Sequence, residues 1–127
     1  SKIKMAIFLD TGFFFFFVDP NDTNNNRCVE LLPTIQSGIY GQIFTSTYVI
    51  SETLILTALR TKNNSIILKK VINFLKGEDK IAIIYQSSEI NEQKSIDLFL
   101  KVNADSSYKP YSFVDCSNII FCKEHLI

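Results

Sequence analysis

Apolar and polar positions along the chain switch between two periods. Residues 3–9, "IKMAIFL", are almost wholly apolar and end on Asp10, which suits a strand buried in a parallel sheet. A turn at Gly12 leads into a short helix over 12–18, ended by Asp19-Pro20. The polar stretch "NDTNNN" then feeds a helix over about 23–36, with Gly38 near its C-cap and Pro33 expected to kink or shorten it. "QIFTS", residues 42–46, reads as a second strand, and Ser46 or Thr47 caps a helix running to about Thr61. Asn64 or Ser65 caps a further helix to Leu75, ahead of Gly77. "KIAIIYQ", residues 80–86, is a third strand, and Ser87 or Ser88 caps a helix through Lys101. After the loop "NADSSYKPY", Ser112 caps a last helix, with Asp115 at its third position as an acidic capping box.

Strands that alternate with helices imply right-handed crossovers and a parallel sheet covered on both faces. The expected fold class is α/β, a parallel β-sheet flanked by helices. A chain of 127 residues fits one domain over 1–127, with no repeats or linkers. Hydrophobic residues are 46% and charged residues 20%, which argues against disorder. Lys plus Arg equals Asp plus Glu at 13 each, so any nucleic-acid contact needs a local patch rather than a global basic field. Lys2, Lys4, Arg27, Arg60, Lys62, Lys69 and Lys70 are the candidates for it. The longest apolar run is too short to span a bilayer, so no membrane association is expected. No small-residue cleavage site follows Lys2 and Lys4, so no secretory leader is expected. Three cysteines, Cys28, Cys116 and Cys122, are odd in number and lack zinc spacing. Reduced thiols in a cytoplasmic protein follow as the simplest expectation.

The chemistry lies in carboxylates. Ligand sites of parallel sheets sit at the carboxyl ends of strands, and Asp10 occupies that place on the first strand. The plainer account of Asp10 is a helix cap. At about 100° per residue, Glu52 falls on one stripe with Tyr48, Val49, Ile55, Leu56 and Leu59. An acid on an apolar stripe is costly without a partner; pairing with Arg or Lys, or snorkelling at the stripe's edge, is the plainer account. Asp115 shares a face with Ile119, Cys122 and Leu126, and its plainer account is capping. Three such acids are harder to explain separately. Carboxylates that converge repel unless a hard cation sits between them, and Mg²⁺ or Mn²⁺ suits such oxygen donors. His125, the only histidine, reads as a surface side chain rather than a ligand.

"IFLDTGFFFFFVDPND", "IFTSTYVISETL" and "YSFVDCSNI" together resemble the PIN-domain ribonucleases, and especially the VapC-type toxins of toxin–antitoxin pairs. The order and spacing match along essentially the whole chain. The resemblance implies a PIN-like α/β/α sandwich. It also implies endonuclease activity on RNA that depends on Mg²⁺ or Mn²⁺, in which an activated water attacks the phosphodiester. It assigns Asp10, Glu52 and Asp115 as the metal-binding acids, expected to converge at the C-terminal edge of the sheet, with Thr11 and Ser117 as supporting polar residues. It further implies an antitoxin partner and a homodimer. The family's further strand with a fourth acid has no counterpart here, and neither Asp97 nor Glu124 is placed to substitute. A catalytically weakened or inactive PIN-like module that binds RNA or protein, and a housekeeping RNA-processing nuclease, are the alternatives. The phenylalanine run covers every face of its helix, so one side should meet the sheet and the other a helix or a second subunit.

Overall fold

Parallel strands need long crossovers, and the chain supplies two of them. β1 (Ala6–Phe8) is followed by α1 (Thr11–Val18) and α2 (Asn25–Gln36), which lead into β2 (Gln42–Ser46). β2 is followed by α3 (Thr47–Arg60) and α4 (Ser65–Lys76), which lead into β3 (Ile83–Tyr85). Then come α5 (Glu89–Val102) and α6 (Phe113–Glu124). The computed structural model describes residues 5–105, 107–125 and 127, so Lys2, Lys4 and Leu126 lie outside the described residues. The chain divides into two compact units, Ser1–Tyr85 and Gln86–Ile127. No helix among the described residues is long and apolar enough to cross a membrane.

In the first unit the strands form one parallel sheet in the order β1-β2-β3. Ala6 lies opposite Gln42, and Phe44 opposite Ile83. The first crossover returns through a turn at Gly38–Gly41, where both glycines take positive φ, 85° and 81°. Gly41 has a second constraint. A Cβ there would meet the Met5 carbonyl oxygen at 2.0 Å, so only glycine lets the chain enter β2 this close to β1.

The phenylalanine helix is the core of this unit. Phe14, Phe15 and Val18 are almost completely buried, while Phe13, Phe16 and Phe17 are partly exposed. Phe17 meets Phe74 of α4 edge-on, with centroids 4.6 Å apart, and the Arg60 guanidinium covers the Phe15 ring at 5.2 Å. The end of α1 is tied to the start of α2 by one side chain: the Asn25 amide donates to the carbonyls of Phe16 and Phe17, at 2.8 and 3.1 Å. Those carbonyls have no partner within so short a helix. Pro33 neither ends nor shortens α2, which runs to Gln36 as expected.

Two expectations about burial are corrected. α3 buries only part of the expected stripe: Val49 is buried, Tyr48, Glu52 and Leu56 are half-buried, and Ile55 and Leu59 are 59% and 71% exposed. Its buried line is Val49, Thr53 and Thr57, a four-residue repeat of small β-branched side chains. Small side chains let α3 lie close to bulky neighbours, so volume rather than hydrophobicity selects the buried face. The strands are also less covered than a two-sided parallel sheet requires: β1 is only partly buried, and Ile83 of β3 is 48% exposed.

The second unit is a helical hairpin. Ser88 caps α5 by accepting from the Asn91 N–H, and Ser95, Cys116, Ser117 and Phe121 are its buried residues. Lys94 of α5 pairs with Glu124 of α6, an exposed contact of little energetic weight.

Gly41→Ala is expected to lower stability by more than about 1 kcal/mol, because both φ and space exclude a Cβ. Equilibrium urea unfolding checks this, and a parental midpoint would show that the Met5–Gly41 approach is looser than described.

Candidate active site

Neighbouring parallel strands end at the same edge of their sheet, and here each of the first two runs straight into a helix. The end of β1 is held on both of its backbone groups. The Leu9 N–H donates to the Phe44 carbonyl at 2.8 Å, and the buried Thr45 hydroxyl donates to the Leu9 carbonyl at 2.9 Å. Asp10 follows in extended backbone and caps α1, its Oδ1 accepting from the Thr11 N–H at 2.7 Å. One strand over, the Ser46 hydroxyl caps α3 by accepting from the Val49 N–H at 3.2 Å. Glu52 lies in the second turn of that helix. The Thr11 hydroxyl donates to Glu52 Oε1 at 2.7 Å and joins the two helix starts.

Thr11 thus serves two carboxylates, with its backbone N–H on Asp10 and its hydroxyl on Glu52. It is buried, whereas Asp10 is exposed and Glu52 half-buried. Hydrogen bonds to an ionised acceptor are stronger than neutral ones, and the start of α1 favours negative charge beside it. The bland account of Asp10 is therefore correct as far as it goes, since it is an N-cap. Glu52 takes a threonine rather than the arginine or lysine that a structural acid would be expected to find.

An exposed and a half-buried carboxylate held by one threonine are a set of hard oxygen donors. That chemistry fits Mg²⁺ or Mn²⁺, which keep several of their own waters. No group of three or more His, Cys, Asp or Glu side chains able to hold a metal ion is formed among the described residues.

Asp115 and Ser117 belong to the second unit. Asp115 is exposed and completes a capping box: its N–H donates to Ser112 Oγ at 3.0 Å, and its Oδ2 accepts from the Ser112 N–H at 3.4 Å. On the face that Asp115 shares, Ile119 is 52% exposed and Cys122 half-buried. Ser117 is buried and donates to the Val114 carbonyl of its own helix at 2.8 Å. His125 stacks on Phe121, and its Nδ1 lies 2.9 Å from the Phe121 carbonyl, a local role at the helix end. Burial pushes the Cys28 thiol up and nearby Asp22 adds to this; burial and then Asp115 do the same for Cys116. Neither thiol is shifted towards the thiolate that metals prefer. Arg27, Lys62, Lys69 and Lys70 are exposed, and Arg60 rests on Phe15.

Residue patterns pointed to Asp10 and Glu52 and the family resemblance to Thr11, but neither pointed to Thr45. Its hydroxyl braces the carbonyl just before Asp10, and the only signal for it was a threonine near a strand end.

No family model matches the chain. A curated VapC ribonuclease of Archaeoglobus fulgidus is 28% identical over 123 residues, covering 94% of this chain and 72% of the relative. The crystal structure of Mycobacterium tuberculosis VapC20, a sarcin-ricin-loop-cleaving toxin, is similar with a TM-score of 0.75 at 18% identity, covering 94% of this chain and 83% of that one. The resemblance to VapC-type proteins therefore holds in both sequence and fold, and the PIN-like α/β class expected from the sequence is the one observed.

Thr11→Val removes one donor and keeps the shape. It is expected to lower stability by about 1–2 kcal/mol, because Glu52 loses a partner inside a half-buried site. Thr11→Ser should recover most of that. Urea unfolding of the three proteins checks the ranking, and equal midpoints would show that the hydroxyl–carboxylate bond does not persist in solution.

Proposed function

We propose that this chain, a relative of VapC ribonucleases with their fold, is a metal-dependent endoribonuclease and the toxin of a toxin–antitoxin pair. The observation that carries the reading is the Thr11 hydroxyl on Glu52, at the start of a helix that Asp10 caps. Two acids from different crossovers are held at adjacent strand ends by a residue that neutralises neither of them. Both bonds stabilise the fold, and they also hold two hard oxygen donors against one residue, as a cation site needs.

Mg²⁺ or Mn²⁺, when bound, supplies Lewis acidity towards water and towards a phosphate oxygen. Asp10 and Glu52 would hold it, and Asp115 is assigned as the third acid by its match to the VapC-type motif around "YSFVDCSNI". Thr11 keeps the Glu52 carboxylate from rotating away and, through its N–H, fixes the rotamer of Asp10. Positioning of this kind is what hydrolysis of a phosphodiester by water needs, because charge neutralisation and geometry lower most of its barrier. Substrate RNA, an antitoxin and a homodimer are the partners of this reading. The partly exposed phenylalanines of α1, together with Ile55 and Leu59 of α3, supply apolar surface for a protein partner.

A second reading, a non-catalytic RNA- or protein-binding module, draws on one observation: Asp115 already has structural work in its capping box.

Asp10→Asn separates the cap from the metal ligand, because Asn caps a helix as well as Asp does. In EDTA the variant should melt at the parental temperature. With Mn²⁺ the parent should gain melting temperature by linkage, and the variant should gain little. Cleavage of single-stranded RNA with Mn²⁺ should fall at least about tenfold, a loss already usual for groups that only support a metal ligand. Parental cleavage by the variant would assign the activity to a contaminant. An unchanged response to Mn²⁺ would remove Asp10 from the site.

A further inference from the structure

The loop that leads into α6 carries two tyrosines around a lysine, "YKPY" at residues 108–111. Tyr108 is 74% exposed and Tyr111 54% exposed. An aromatic ring buries a large area when it finds a partner, so two left in solvent on one short loop are an unused binding surface. Such rings in a floppy loop would lose much of their value to ordering entropy. This loop is framed at both ends. The Asn103 side chain pairs with the backbone of Tyr111 in both directions: the Tyr111 N–H donates to Oδ1 at 2.8 Å, and Nδ2 donates to the Tyr111 carbonyl at 3.1 Å. The same amide donates to the Phe99 carbonyl at 2.9 Å, which anchors the loop to the end of α5. At the other end the Asp105 carboxylate accepts from the Ser107 N–H and hydroxyl, at 2.9 and 2.6 Å. The hydroxyl bond and then the backbone bond hold that carboxyl below its usual range. Pro110 fixes one backbone angle between the two rings.

We propose that Tyr108, Lys109 and Tyr111 form a binding site for single-stranded RNA, with the two rings stacking on bases and Lys109 contacting the phosphate between them. The proposal rests on the ribonuclease reading for its ligand class and adds the part of the protein that grips the strand. Base–aromatic stacking tolerates any sequence, and a cation between two stacking rings matches the alternation of base and phosphate along a strand. The chain itself gives the location. Tyr111 and Asp115 are four positions apart, at most about 14 Å of extended backbone. A base on Tyr111 therefore lies within a few nucleotides of the acid assigned to the chemistry. A protein-binding loop has no such need for a cation between two rings.

The test uses a short mixed-sequence single-stranded RNA carrying a fluorescent label. Its binding to the full chain is followed by anisotropy in EDTA, and its cleavage is followed separately with Mn²⁺. Tyr108→Ala and Tyr111→Ala should each weaken binding by roughly fivefold to a hundredfold. Tyr108→Phe and Tyr111→Phe should stay within about twofold, because the ring carries the contact. Lys109→Gln should reduce the salt slope of binding by about 0.7. Circular-dichroism melting confirms that each variant is folded. Parental affinity in the alanine variants overturns the proposal and leaves the loop to a protein partner, while cleavage by the parent keeps the nuclease reading intact. Equal losses in the alanine and phenylalanine variants also overturn it, since the hydroxyl and not the ring would then be the contact. Tyrosine-dependent binding without cleavage by the parent supports the RNA site and defeats the nuclease reading instead. If the parent neither binds nor cleaves RNA, both fail.

Discussion

One threonine joins the starts of two helices in the first unit. Thr11 stands where β1 becomes α1, and it directs its N–H to Asp10 and its hydroxyl to Glu52 of α3. This is possible only because β1 and β2 are adjacent and parallel, so that their carboxyl ends, and the helices that follow, begin side by side. A parallel pair is joined by a long crossover, and here that crossover separates the two interacting residues by 41 positions. Local sequence cannot encode such a bond. It forms when the sheet register, the two helix caps and the Thr45 brace on Leu9 are all in place.

The same constraint explains the odd composition of the helices around it. α1 is short and made almost wholly of large apolar side chains, three of which are nearly inaccessible. α3 packs against it, and the residues that α3 buries are the small Val49, Thr53 and Thr57. Its larger side chains, Ile55 and Leu59, turn outward. Interiors are packed as densely as crystals, so the face that fits wins over the face that is most hydrophobic. Glu52 sits next to that small-residue line, which brings it within reach of Thr11.

Carboxylates in this protein illustrate how one residue type takes different work from its setting. Asp10 and Asp115 both lie at helix starts, where the macrodipole favours negative charge. Asp10 caps through a short bond to the next residue, whereas Asp115 closes a reciprocal box with Ser112. Asp105 instead closes a turn through Ser107 and helps to frame the tyrosine loop. Asn103 does the equivalent at the loop's other end, by standing in for a neighbouring strand.

Much of this architecture was legible along the chain. Alternating periods placed the helices and strands, Ser46, Asn64, Ser88 and Ser112 marked helix starts that they do cap, and "QIFTS" is β2 from end to end. These signals are readable because caps, turns and periodicity act over a few residues, within the reach of local sequence. Asp10 was legible for the same reason, as an acid at the end of an apolar run. The buried face of α3, the partial exposure of β1 and β3, and the outward turn of Ile119 were not, because burial depends on which neighbour arrives and how large it is. Nor were Thr45 on Leu9, Asn25 on the end of α1, or Thr11 on Glu52. Each joins groups whose separation is set by packing, and only the folded chain brings donor and acceptor within a hydrogen bond of each other.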